Sequence, residues 1–230
     1  MTHKSNTPCS RRSWLAGTAA AAAAWAGRGS VAQAASKDAA AVKTYTNADF
    51  YDSHGKLSKD KAREAYYDMF RRFHYPISPR IKKDMWILDF GLGDFAQVGM
   101  AGIFWLNRQD YNYFGHEIYL LPGQMIAEHC HVATAKGAAK MESWHPRKGN
   151  IYTFGEGEPT PEFIEKIPAS QRNVVKSRRC LPLGIDELGD LNRLTAWHFM
   201  VAGPQGAIVT EYGTYHDMDG LKFSNTKAKL

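Results

Sequence analysis

From Ser58 onward the apolar residues fall at helical intervals: Ala62, Ala65 and Tyr66, Met69 and Phe70, then Phe73. With a serine in the N-cap position, this spacing predicts an amphipathic helix that packs on a sheet. Pro76 and Pro79 disfavour its continuation. Beyond them the period shortens. Residues 85–93 read as a strand running into a glycine turn, 98–106 are apolar, 110–113 are turn-like, and 116–121 lead into Pro122 and Gly123. Further strands are expected at 151–154, 174–183, 188–194, 197–202 and 207–212, with a surface excursion at 161–171. The stretch Gly203-Pro204-Gln205-Gly206 is expected to be a hairpin between the last two. Many short strands separated by glycine turns predict an all-β barrel or sandwich.

Between Gly123 and Gly149 the pattern carries chemistry. His129 and His131 flank Cys130, so on a strand both imidazoles share one face and the thiol points away. Lys140 and Glu142 repeat that spacing, with Met141 turned outward. Two imidazoles and a carboxylate suit Mn²⁺, Fe²⁺, Zn²⁺ or Ni²⁺, and this mixed donor set does not choose among them. A bare His-x-His is weak evidence, because paired strand histidines are also ordinary half-exposed or hydrogen-bonded residues. The flanking glycines and Glu142 tilt the balance toward a metal. The candidate fourth ligand is His198, which on its own would be read as a core histidine beside Trp197.

Residues 1–34 read as an export address. Arg11 and Arg12 sit in Ser-Arg-Arg-Ser-Trp-Leu, followed by an alanine-rich apolar run and an Ala32-Gln33-Ala34 cleavage pattern. The expectation is a twin-arginine signal peptide, passage through the twin-arginine translocase, and a periplasmic or otherwise exported product. Residues 35–57 show little periodicity and read as a linker or irregular lead-in, leaving 58–230 as a single domain. The formal charge of +6 includes Lys4, Arg11, Arg12 and Arg28 of the signal, so the mature chain is close to neutral. Neither its charge nor any basic stripe points to nucleic acid. Cys9 leaves with the signal, and Cys130 and Cys180 do not make a disulfide framework.

Taken together, Gly123-x5-His129-x-His131-x10-Glu142-x6-Gly149, with His198 before a glycine-rich stretch, resembles the two motifs of the cupin superfamily. Within it the chain resembles the D-lyxose isomerase family. That resemblance is carried by residues 88–95, by Leu121-Pro122-Gly123-Gln124 with Glu128 to His131, by Lys140 to Glu142, and by Trp197-His198 with residues 202–212. It spans roughly residues 60–225. It implies a cupin double-stranded β-helix, a jelly-roll barrel with the N-terminal helix packed on it.

Carried over residue by residue, the resemblance implies that His129, His131, Glu142 and His198 hold the metal, usually Mn²⁺ in that family. Lys140 and Glu211 match charged positions facing the sugar, with Glu211 as the base and Lys140 as the donor to a developing enediolate. Lys140 could equally serve only to balance the charge of Glu142. Glu128 and Asp217 are taken as further sugar contacts, Asp217 through an acidic segment that could close over the pocket. Trp144 and His145 are expected at the rim. The chain departs from the family at His116-Glu117, where a lysine is usual. The function implied is aldose–ketose isomerisation of D-lyxose or D-mannose type. The alternatives are an Fe-dependent cupin oxygenase with the same ligands and a non-catalytic sugar-binding cupin. A homodimer is expected by analogy alone.

Overall fold

The computed structural model describes residues 42–230. The expected signal peptide and the first part of the expected lead-in lie outside the described residues. The lead-in includes a short helix, α1 (Asn47–Phe50), whose Phe50 is buried edge-on against Phe95 with ring centroids 4.9 Å apart. The Tyr51 hydroxyl donates to Asp89 at 2.9 Å, fastening this segment to the domain.

The amphipathic helix is α2 (Lys59–Arg72), capped by Ser58, whose side chain accepts from the Lys61 N–H. Its buried face, Ala62, Ala65, Tyr66, Met69 and Phe70, is the one that the spacing marks. Burying a large side chain such as Phe70 stabilises the fold by roughly 1.5–3 kcal/mol. Tyr66 donates its hydroxyl to Gln124 at 2.7 Å, and Gln124 in turn donates to the Phe95 carbonyl at 2.6 Å. The helix is thereby tied by buried polar contacts to the turn that precedes the His-x-His segment. A short helix, α3 (Pro79–Asp84), follows with Ser78 as its cap.

The strands are β1 (Trp86–Leu88), β2 (Met100–Arg108), β3 (Tyr113–Leu120), β4 (His129–His131), β5 (Glu142–Gly155), β6 (Arg179–Leu183), β7 (Gly189–Asp190), β8 (Phe199–Gly213) and β9 (Leu221–Phe223). The main sheet runs β1-β2-β3-β8-β5-β6, with β7 also on β5, and every pairing is antiparallel. β4 and β9 form a second, two-stranded sheet. The architecture is an all-β jelly roll of the double-stranded β-helix type, with few helices.

The hairpin expected at 203–206 is not there. β8 is one continuous strand that pairs antiparallel with β5 along nearly its whole length. The glycine-rich stretch instead forms an irregularity at which the register shifts between Gly149 and Ile151. Gly149 and Gly206 both have positive φ, 70° and 79°, and a Cβ on Gly149 would run into the Gly206 carbonyl. Glycine is needed at this crossing because the strands bend while staying in contact. β3 faces two ways. Tyr119 packs against the helix side, where Glu117 also lies among Tyr75, Trp105 and Tyr119, while His116 and Ile118 face the barrel interior. Cys130 and Cys180 are buried free thiols.

Candidate active site

Two backbone contacts bring the histidines together. His129 and His198 form an antiparallel bridge, each N–H donating to the other's carbonyl at 3.0 and 2.9 Å. This links β4 to the start of β8. Alternation along β4 brings His131 to the same side, with the His129 and His131 rings 5.1 Å apart. Glu142, the first residue of β5, completes the group. Ligand atoms of His129, His131, Glu142 and His198 all lie within 4.8 Å of one another.

The hydrogen bonds of the rings show what the group is built to hold. Nδ1 of His129 lies 2.9 Å from the Ala127 carbonyl, and Nδ1 of His198 lies 2.9 Å from the Ala196 carbonyl. A carbonyl only accepts, so each Nδ1 carries the proton and each Nε2 offers a lone pair. Nε2 of His198 sits 2.5 Å from Glu142 Oε1 yet has no hydrogen-bond partner, and both nitrogens of buried His131 are unpartnered. Lone pairs facing a carboxylate at this range repel unless a positive charge lies between them. These four residues therefore fit a divalent metal ion.

The electrostatics agree. Burial, then His198 and His131, hold His129 well below the ordinary histidine value. Burial opposes the charge of Glu142, but Lys140 first, then His198 and His131, take its pKa well below the carboxylate range. Burial likewise works against a charged His198, and Glu142 still lifts it above its ordinary value. That lift measures the demand for positive charge at this spot, which a proton or a metal ion can meet.

Lys140 joins this group to a second carboxylate. Its Nζ donates to Glu142 Oε2 at 2.5 Å and to Glu211 Oε1, and it lies 4.3 Å from the Phe114 ring centroid. The side chains of Lys140, Glu142 and Glu211 are only 3%, 2% and 8% exposed. Burial opposes the ammonium, yet Glu142 and then Glu211 raise its pKa. One cation against two carboxylates leaves a buried negative charge, a further reason for a divalent cation nearby. Five of these six residues, His129, His131, Lys140, Glu142 and Glu211, line a cavity of about 310 Å³, at the lower end of the range usual for small-molecule sites.

Glu128 and Asp217, expected as sugar contacts, do not line this cavity, and their side chains hold other groups. The carboxylate of Glu128 accepts from the Lys176 and Ser177 N–H groups at 2.7 and 2.6 Å, bracing a loop on the far side of β4. Asp217 accepts from the Thr134 hydroxyl at 2.5 Å and from the Asp219 N–H at 3.0 Å. Its neighbours His216 and Met218 line the cavity instead. Trp144, expected at the rim, is 6% exposed, with its ring 5.4 Å from that of His198. His116 turns inward, with Nδ1 3.4 Å from Glu211 Oε2. His216 is a functional candidate that the sequence does not single out; burial, then Lys140 and His131, push its pKa down to about 2.

No protein-family model matches the chain. Curated relatives do. The chain is 28% identical over 176 residues to the D-lyxose/D-mannose isomerase of Thermosediminibacter oceani, covering 75% of this chain and 96% of that one. It is 28% identical over 154 residues to the D-lyxose ketol-isomerase of Cohnella laeviribosi, covering 67% and 83%. Among solved structures, the L-ribose isomerase of Cellulomonas parahominis superposes with a TM-score of 0.60 at 16% identity, over 78% of this chain and 95% of that one. The L-ribose isomerase of an Acinetobacter species, solved with L-ribose, gives the same TM-score, identity and coverage. The chain is thus similar in sequence to curated D-lyxose isomerases and shares its fold with L-ribose isomerases.

Proposed function

We propose that the protein is a metal-dependent aldose–ketose isomerase acting on a free pentose or hexose of the D-lyxose/D-mannose kind. The observation that carries this reading is Lys140, buried and hydrogen-bonded at once to a carboxylate of the metal-type cluster and to the separate carboxylate of Glu211. The similarity to curated isomerases over three quarters of the chain supports it.

Aldose–ketose isomerisation removes the proton on C2 and delivers one to C1, while the hydroxyl proton on O2 is lost and O1 gains one. Glu211 is the base: it takes the C2 proton, which exchanges with solvent while held on the carboxyl, and delivers a proton to C1. His116 stands at its other oxygen and Lys140 at Oε1, so both carboxylate oxygens are oriented before substrate arrives. Lys140 stabilises the oxyanion that grows on the substrate as the enediolate forms. Glu142, kept charged by Lys140, belongs to the metal set with His129, His131 and His198. A bound divalent ion supplies Lewis-acid polarisation of the substrate oxygens. Mn²⁺ is the proposed ion.

An iron oxygenase would use the same four ligands but has no need of a lysine bridging two buried carboxylates. Export is part of the proposal, supported by the Arg11-Arg12 pattern, and so is passage through the twin-arginine translocase. The test is solvent exchange: wild-type enzyme with Mn²⁺ in deuterated buffer should place deuterium in the sugar at C1 or C2. Glu211→Gln should lose this exchange by a factor of about 10²–10⁴ while keeping its metal content. A variant that loses its metal, or keeps the exchange, would remove Glu211 from the role of base.

A further inference from the structure

The cavity is polar at one end only. Its inward rows follow from the strand register. Phe114 and Glu142 both lie opposite Gly213, and the next row places His116 beside Glu211 and Phe104. Below these come Trp86, Gly102 and Ile118, then Leu88 opposite Met100. Phe90 and Phe223 close the side, with ring centroids 5.6 Å apart, and Phe223 is paired with His129.

Hydrogen-bonding groups stop with the second and third rows. Trp86 Nε1, His116 Nε2 and His216 Nδ1 are buried and unpartnered. They sit close together: the Trp86 and His116 rings stack at 5.3 Å, and Phe104 lies 4.9 Å from His116 and 5.5 Å from His216. These nitrogens can meet hydroxyls in the middle of a sugar chain. Past them Leu88 and Met100 form the wall, Phe90 and Ile126 also line the cavity, and Leu221 and Phe223 flank the histidines as register partners of His131 and His129. Among the described residues, no Asn, Gln, Ser, Thr, Tyr, Asp or Arg lines the cavity.

A sugar whose C1 and C2 lie at Glu211 would send its far end against this wall. A terminal hydroxymethyl group buried there would lose its water without finding a protein partner, which is costly, whereas a methyl group would gain from burial. We infer that the preferred substrate carries a methyl group in place of the terminal hydroxymethyl and is, in the hexose series, a 6-deoxy-aldohexose. This inference rests on the isomerase reading and names the substrate class of the same site. The atoms of the reaction are unchanged: C2 and O2 each lose a proton, C1 and O1 each gain one, and the product is the 6-deoxy-2-ketose.

The test compares D-mannose with 6-deoxy-D-mannose, which differ by one oxygen atom, on Mn²⁺-loaded wild-type protein. The expected result is a kcat/KM about 10–100 times higher for the deoxy sugar, the discrimination that an apolar pocket exerts against an added hydroxyl. Leu88→Gln, which keeps the size of the side chain and adds a hydrogen-bonding group at the wall, should lower that ratio of kcat/KM values at least about threefold. Turnover of both sugars with no preference, or with D-mannose preferred, would overturn the inference and leave the isomerase reading standing. An unchanged ratio in folded Leu88→Gln would overturn the assignment of the wall to the sugar's far end. No turnover of either sugar or of D-lyxose would overturn the isomerase reading, and the inference with it.

Discussion

Replacing Lys140 with methionine removes the ammonium between Glu142 and Glu211 and leaves a side chain of similar length. Both carboxylates would stay buried, the Glu142 side chain at 2% and the Glu211 side chain at 8% exposure. Breaking one partner out of a buried ion pair costs about 3–5 kcal/mol. For a domain of this size each kcal/mol lowers Tm by about 2–4 °C, so metal-free Lys140→Met should melt about 6–20 °C below metal-free wild type at pH 7. The sign with pH follows from the charges. In wild type, Lys140 holds Glu142 ionised, a contribution present above the ordinary carboxylate range and lost as pH falls through the depressed value. Without the lysine, burial works against the charge of Glu142, so acidification relieves the variant first. The Tm gap should therefore narrow between about pH 7 and pH 5, read by circular dichroism on chelator-treated samples. A drop below about 2 °C at pH 7, or a gap that widens on acidification, would refute the description of Lys140 as the fixed charge bridge.

Other consequences are as direct. His198→Ala should remove bound metal without unfolding the domain, and saturating wild type with Mn²⁺ at about 100 times its Kd should add about 2.7 kcal/mol of stability that the variant lacks, measured by thermal melts with and without metal. Gly149→Ala should destabilise by about 1–3 kcal/mol, because the residue needs a positive φ and its Cβ meets the Gly206 carbonyl; urea titration checks this. Burial, then Glu162, push the Cys180 thiol up to about 12 from 9.0. The unfolded chain therefore loses this proton first, and stability should fall as pH rises from about 9 to about 12, a slope that Cys180→Ala should lessen.

How far the sequence reaches depends on the range of the interaction. The helix over Lys59 to Arg72 and the shared faces of His129 with His131 and of Lys140 with Glu142 follow from local periodicity, because spacing of two or of three to four residues decides which side chains share a face, whereas His198 joins the cluster through its bridge to His129. The same rule also held information against two expectations. If His129 and His131 face the cavity, Glu128 must face away with Cys130; if Glu142 points in, Trp144 does too. What no local rule supplies is register. His116 meets Glu211 because β3 and β8 pair across 95 residues of chain, and His216 reaches the cavity because the segment after β8 folds back over it. The expected hairpin failed for a related reason: Gly203 to Gly206 satisfy a turn and a bent strand equally well, and only pairing with β5 selects the strand.

The central claim is that this cavity interconverts an aldose and a ketose with Glu211 as the base. Incubating metal-loaded wild type and Glu211→Gln with D-lyxose under nitrogen, and following D-xylulose, tests it most directly. Oxygen-independent ketose formation by wild type, lost in a variant of equal metal content, is the expected result. Absence of ketose from fully metal-loaded wild type, with D-mannose and 6-deoxy-D-mannose also left unchanged, would contradict it.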